Sequence, residues 1–202
     1  MNNNLKTIIL SSLIGAIAGG VVAFGIFYYQ KNNRSNNELI KEFYLIENAV
    51  YVSPHGLRKK IADGKNDFTL VDLRSQEEYE TAHIAGAVNI PAYKDPDTSA
   101  YDEKDRIIGE FKKLSKDKDI VVYCYSMPCM TGRKIGQMLV ENGIYVKHLG
   151  IGWNEWRYYW DLWNHDGEAP SNVKDYIASG KEPGVAKIKN LPSPCAKGEF
   201  GC

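Results

Sequence analysis

"FTLVDLRSQEEYETAHIAGAVNIP", residues 68–91, holds two short apolar runs with a helix start between them. The first run, residues 68–73, follows the turn residues Asp63, Gly64, Lys65 and Asn66, and the second is "AVNIP", residues 87–91. Between them Ser75 is followed three residues later by Glu78, which resembles a capping box. Further on, "DIVVYC", residues 119–124, is the most strand-like segment of the chain. It is β-branched, aromatic and continuous, as strands buried on both faces of a parallel sheet are. "IYVKHL" (144–149) follows a Glu-Asn-Gly turn, and "NAVYVS" (48–53) offers an edge strand. Helices are expected from Ser53-Pro54 to Asp63-Gly64, with proline at the first helical position, and over residues 103–114 and 132–141. Strands alternating with helices predict an α/β fold: a parallel sheet with helices on both faces.

Working outward, residues 7–30 carry no charge, and Lys6 precedes them while Lys31 and Arg34 follow. At about 1.5 Å per residue such a helix spans a hydrocarbon core of about 30 Å. Tyr28 and Tyr29 stand at its exit, where amphipathic rings favour the interface. A cleaved signal peptide is the alternative, but its Ala16-Ile17-Ala18 site lies in mid-run. The expected organisation is a short flank (1–6), a transmembrane helix (7–30), a polar linker (31–47), an α/β domain (48–166) and a tail (167–202). Ser11, Gly15, Gly19 and Ala23 recur every four residues, a stripe through which two membrane helices self-associate, although small residues are simply common in such helices. The 202 residues have net charge zero, which argues against a broad nucleic-acid surface.

Two of the four cysteines stand in one loop, "CYSMPCMTGR", residues 124–133. Cys124 ends the best strand and the next helix begins a few residues later. In parallel sheets that end of the strand is where ligands bind. A helix N-terminus there lowers a thiol's pKa and holds an anion. Cysteine is equally a common small core residue. Cys124 alone leaves those two readings even. Cys129, Thr131, Gly132 and Arg133 in the same loop tip it toward chemistry.

The succession Asp72-x-Arg74, Glu78-Tyr79, His83 to Ala87 and Asn89 to Pro91, then "DIVVYC" and "GIYVKHLGIGWNEWRYYW", resembles a rhodanese domain over about residues 50–163. The resemblance implies a five-stranded parallel sheet flanked by helices and a sulfurtransferase. A thiolate takes the outer sulfur of thiosulfate or a persulfide and passes it to a thiol acceptor. Position assigns the nucleophile to Cys124, with Cys129 as alternative nucleophile or resolving thiol; Ser126, Thr131, Gly132 and Arg133 would hold the donor. Asp72 and Arg74 would form the surrounding scaffold, and His83, in the turn motif "HIAGA", is scaffold near the site that holds its turn by hydrogen bonds rather than a catalytic base. The loop departs from the family's pattern: it is expanded, and Cys129 is an addition. A phosphatase would need an arginine six residues after the cysteine, and neither cysteine has one.

No cofactor and no metal are expected, because the CxxxxC spacing is not that of a zinc knuckle. Cys195 and Cys202 suggest a small disulfide loop, which with the first pair fits an extracytoplasmic, single-pass protein. Trp153, Trp156, Trp160 and Trp163 recur on one helical face and are expected to pack on the sheet. The competing function is a non-catalytic rhodanese module that presents a redox disulfide or binds a partner.

Overall fold

The computed structural model describes residues 3–164 and 172–187. The chain divides into two compact units, Met1–Glu47 and Asn48–Cys202.

In the first unit, α1 (Asn3–Asn32) contains the apolar run. Lys6–Asn32 has mean hydropathy 2.2 and is long and apolar enough to cross a membrane, a test that a signal sequence also passes. A second helix, α2 (Asn36–Val50), follows. The segment 31–47 is therefore helical from Asn36 onward rather than a polar linker. Its start is built by Ser35, whose amide and hydroxyl donate to Glu38 Oε2 at 2.7 and 2.9 Å while Glu38 N donates back to Ser35 Oγ. This Ser-x-x-Glu box is the signal that reading the segment only for low apolar content passes over.

The second unit is built on five parallel strands: β1 (Tyr51–Val52), β2 (Phe68–Asp72), β4 (Ala87–Asn89), β7 (Asp119–Tyr123) and β8 (Lys147–Leu149). Their order is β1-β8-β7-β2-β4, so β7 is central and β1 is an edge, as its sequence suggests. Helices α3 (Pro54–Ala62), α4 (Gln76–Thr81) and α7 (Trp153–Arg157) pack on one face; α5 (Lys104–Phe111) and α6 (Thr131–Val140) pack on the other. Alternation along the central strands sorts the core. Leu70, Val121, Tyr123 and Leu149 face the α3/α7 side, while Val71, Leu73, Val122 and Cys124 face the α5/α6 side. A hairpin of β5 (Tyr93–Asp95) and β6 (Thr98–Ser99) lies between β4 and α5 in the chain.

Two expectations are corrected. The domain does not stop at Asp166. A 3-10 turn at Val173–Tyr176 leads into β9 (Ile177–Ala178), which pairs antiparallel with β3 (His83–Ile84). Tyr176 is fully buried, and Gly86 and Gly180 amides bond Pro183 O and Glu80 O across the two segments. So short a pairing leaves no periodic pattern to read. The tryptophans also do not share one helix, because α7 ends at Arg157 and a 3-10 turn covers Trp160–Leu162. They still meet: Trp156, Trp160 and Trp163 lie within 5.4 Å of one another, centroid to centroid, around the buried Arg58 guanidinium. The Cys195–Cys202 pair and the rest of the 167–202 tail beyond residue 187 lie outside the described residues.

Candidate active site

Below the cysteine loop lies a buried polar hub. Asp72, at the end of β2, receives Arg74 Nη2 at 2.6 Å, Arg74 Nε at 3.1 Å, the Arg74 amide at 2.9 Å and the Tyr123 hydroxyl at 2.6 Å. Neither charged side chain is more than 3% exposed. Arg74 also donates to Ala82 O and lies 4.2 Å from the Trp153 ring centroid. Burial and the Asp72 carboxylate raise the Tyr123 phenol well above its usual range, so it remains a donor. The hub joins β2, β7 and α7 on the α3/α7 face of the sheet, at the residue before Cys124. The expected scaffold residues Asp72 and Arg74 are thus found together. His83 holds the β3 turn: its ring stacks on Tyr79, and its nitrogens contact Tyr79 O at 2.7 Å and Pro183 O at 3.3 Å.

The loop itself is pinned from several sides. Cys129 N donates to Ser126 O at 3.0 Å, closing a tight turn through Met127 and Pro128. Trp153 N donates to Cys124 O and Asn154 N to Tyr125 O, both at 2.8 Å. Glu155 accepts from Met127 N at 3.2 Å and Gly152 N at 2.9 Å. Tyr125 donates at 2.5 Å to Glu78, the glutamate of the α4 capping box. Arg133 reaches back to Met127 O and Cys129 O at 3.1 Å and to Tyr51 OH at 2.8 Å. Arg133, expected to hold an anionic donor, here braces the loop carbonyls.

The two sulfurs are 3.2 Å apart and unbonded. They differ in depth. Cys124 is 1% exposed, a core residue packed with Val122 and Ile135, whereas Cys129 is half-buried. A hydrogen bond from Cys124, followed by contacts from the Thr131 hydroxyl and the Thr131 and Tyr125 amides, pushes the Cys129 thiol below its ordinary range. The same pairing with Cys129, together with burial, pushes Cys124 up. One proton held on Cys124 and a thiolate on Cys129 satisfies both. Thr131 is well suited to its part. Tyr93 OH lies 2.7 Å and Tyr101 OH 3.0 Å from its Oγ1, so with both phenols donating, its own proton faces the sulfurs. Burial raises Tyr93 to about 12, which keeps it a donor. Thr131 also opens the ten-residue α6, whose N-terminal amides favour an anion there.

Gly132 has a steric reason. A Cβ there would lie 2.1 Å from His148 Nε2. His148 Nδ1 is fixed on Leu149 O at 2.7 Å, and Nε2 has no hydrogen-bond partner among the described residues. Burial, then the nearby Arg133 charge among other influences, lowers its pKa and keeps it neutral. His148, Tyr93, Tyr125 and Glu155 were not legible as site residues. Their only sequence signal is position: His148 sits on the strand beside β7, in register with Val122. Among the described residues no cluster of three or more His, Cys, Asp or Glu side chains is placed to hold a metal.

The sign of the pH dependence follows. A free thiol near pKa 8.5 loses thiolate steadily below neutrality. With its pKa lowered, Cys129 is ionised at neutral pH and stays so as the pH falls, until the pH reaches the lowered value. Its alkylation rate, read by mass spectrometry of the Cys129 peptide, is expected to stay level from neutral into weakly acidic buffer. A rate that tracks a free-cysteine standard over that range overturns the assignment.

A thiol pair at the carboxyl end of the central strand, facing a helix N-terminus, makes this a thiol-centred α/β domain. The family model described as "Rhodanese-like domain" matches residues 53–158, just over half of the chain, and the chain belongs to that family. It is 36% identical over 91 residues to the HTH-type transcriptional regulator Rv0324 of Mycobacterium tuberculosis, covering 45% of this chain and 35% of the relative. It is 32% identical over 88 residues to the thiosulfate sulfurtransferase GlpE of Coxiella burnetii, covering 44% of this chain and 69% of the relative. The chain thus spans about a third of the length of the first relative and about two thirds of the second. Among solved structures, BH2092 protein from Bacillus halodurans aligns with TM-score 0.48 at 27% identity, over 61% of this chain and 82% of that one.

Proposed function

We propose that the domain is a sulfurtransferase that carries sulfane sulfur as a cysteine persulfide, with Cys129 as the first acceptor. The single observation behind this reading is the thiol pair at 3.2 Å, half-buried on the Cys129 side and closed on the Cys124 side. Strand position favours Cys124 as nucleophile. Depth and ionisation favour Cys129, because the thiolate is the nucleophile and Cys124 is both buried and the proton holder. The donor is a thiosulfate or a small persulfide, and the acceptor a thiol. The Thr131 and Tyr125 amides and the α6 N-terminus stabilise the anionic persulfide. Ser126 stands at the half-exposed edge of the loop where the donor approaches, while the buried Thr131 and Gly132 lie behind the sulfurs. The domain is tethered to a bilayer by residues 7–30 and lies on its extracytoplasmic side. A second reading, a thiol/disulfide module without sulfur transfer, draws on the same short separation.

The test is intact mass of the reduced protein after thiosulfate and after polysulfide, beside Cys129→Ser and Cys124→Ser. One sulfur gained by Cys124→Ser and absent from Cys129→Ser is the expected result. One sulfur gained by Cys129→Ser and absent from Cys124→Ser moves the nucleophile to the strand end. No gain by any of the three proteins with either donor, and no sulfide released from thiosulfate, selects the second reading.

A further inference from the structure

The persulfide reading accounts for one sulfur of the pair and leaves the other unexplained. Cys124 is no neutral filler. Its sulfur points at Cys129 from the closed side, 3.2 Å away, while the open side of Cys129 is where a donor approaches. An S–S bond is about 2.04 Å long, so little more than an ångström of movement closes the ring between them. Cys124 O is tied to the Trp153 amide and its side chain is packed among Val122 and Ile135, whereas Cys129 sits past the turn on a segment held by loop hydrogen bonds.

Resting on the persulfide reading, we infer that Cys124 is a resolving thiol: it attacks the Cys129 persulfide at its inner sulfur and releases the carried sulfur as sulfide, leaving a Cys124–Cys129 disulfide. The balance is complete. In loading, the Cys129 thiolate bonds the outer sulfur of the donor and the donor's own sulfur–sulfur bond breaks. Thiosulfate leaves as sulfite. In release, Cys124 Sγ bonds Cys129 Sγ and the persulfide bond breaks. The terminal sulfur departs with that electron pair and with the Cys124 proton, as hydrosulfide. The sulfane sulfur is reduced and the two cysteines are oxidised. A dithiol reductant of the thioredoxin-type chemical class restores both thiols by exchange. The protein then stands between a reaction that makes sulfane sulfur and a dithiol system that supplies two electrons. With a monothiol acceptor in excess, ordinary sulfur transfer competes with release.

The outer sulfur is the wrong target for Cys124 on geometry. It extends from Cys129 toward the open side, away from the closed pocket, so the inner sulfur is the nearer of the two.

The experiment uses the full chain, reduced, desalted and kept anaerobic in detergent, with a stoichiometric amount of thiosulfate, whose leaving group is sulfite and not sulfide, and no added thiol. Released sulfide is assayed and disulfides are mapped by digestion. Wild type is expected to release one sulfide per chain as a disulfide forms that maps to Cys124 and Cys129, and an added dithiol restores turnover. In Cys124→Ser the persulfide is expected to accumulate with sulfide release lost. Stable persulfide on wild type without sulfide or disulfide overturns the resolving role and leaves the sulfurtransferase reading intact. Disulfide without prior sulfur uptake, or no uptake by any variant, removes the sulfurtransferase reading itself. Sulfide release that persists in Cys124→Ser also overturns the inference, because another thiol then does the resolving.

Discussion

Gly152→Ala is expected to lower sulfur loading by on the order of 100-fold, with the protein still folded. A Cβ at that position would lie 2.3 Å from Ser126 N, 2.4 Å from Ser126 Cα and 2.6 Å from Tyr125 C. All three atoms are backbone of the cysteine loop, so no rotamer change relieves the clash. The loop has to retreat, and with it goes the turn that sets Cys129 beside Cys124. Overpacking of this kind costs about 1–3 kcal/mol, which the domain survives, while misplacement of reacting atoms by about 1 Å carries the larger penalty in rate. Gly136→Ala is the matched control. Its Cβ would meet only Val146 Cγ2 at 3.7 Å, an ordinary contact, within the same helix that opens at the site. It is expected to load normally and to gain about 0.5–1 kcal/mol from helix propensity. Loading rates for the two variants, beside their denaturation midpoints, check the pair. Normal loading by Gly152→Ala would mean that the loop geometry is not what positions the sulfur acceptor.

Asp72→Ala is expected to cost about 3–5 kcal/mol of unfolding free energy, the penalty for leaving a buried charge without its partner. Removing the carboxylate strands the Arg74 guanidinium and the Tyr123 hydroxyl at once, and both are buried. Arg74 retains Ala82 O and the Trp153 face, too little to solvate a full charge. A double variant that removes both charges, Asp72→Asn with Arg74→Met, is expected to be more stable than Asp72→Ala alone, because no ion is then left unpaired. Urea denaturation of the three proteins measures this. A loss under about 1 kcal/mol for the single variant would show that water reaches the hub and that the pair behaves as a surface one.

Much of this architecture was readable from particular residues. Phe68 to Asp72, Asp119 to Tyr123, and Ala87 to Asn89 are strands because they are continuous apolar runs of strand length bounded by turns. Ser75 with Glu78 starts a helix where the pattern puts it, and Pro54 begins another. The succession from Asp72 to Pro91 carried the family. Other parts were out of reach for stated reasons. β9 is two residues long and takes its meaning from β3, on the far side of the sheet in sequence. His148 belongs to the site only because β8 lies beside β7, and Glu155 only because α7 begins against the loop.

The cysteine loop divides along the same line. By itself the sequence determined that two thiols share a short loop between a buried strand and a helix, since local periodicity and composition are properties of neighbours along the chain. Strand alternation even assigns Cys124 to the face of Val122. Which thiol is closed, which is open and how far apart the sulfurs lie were decided only by the tertiary structure. Those quantities depend on α6, α7 and the β5–β6 hairpin converging on one point, and on the desolvation that follows. Burial and charge stabilisation are sums over neighbours in space, and no spacing along the chain encodes them.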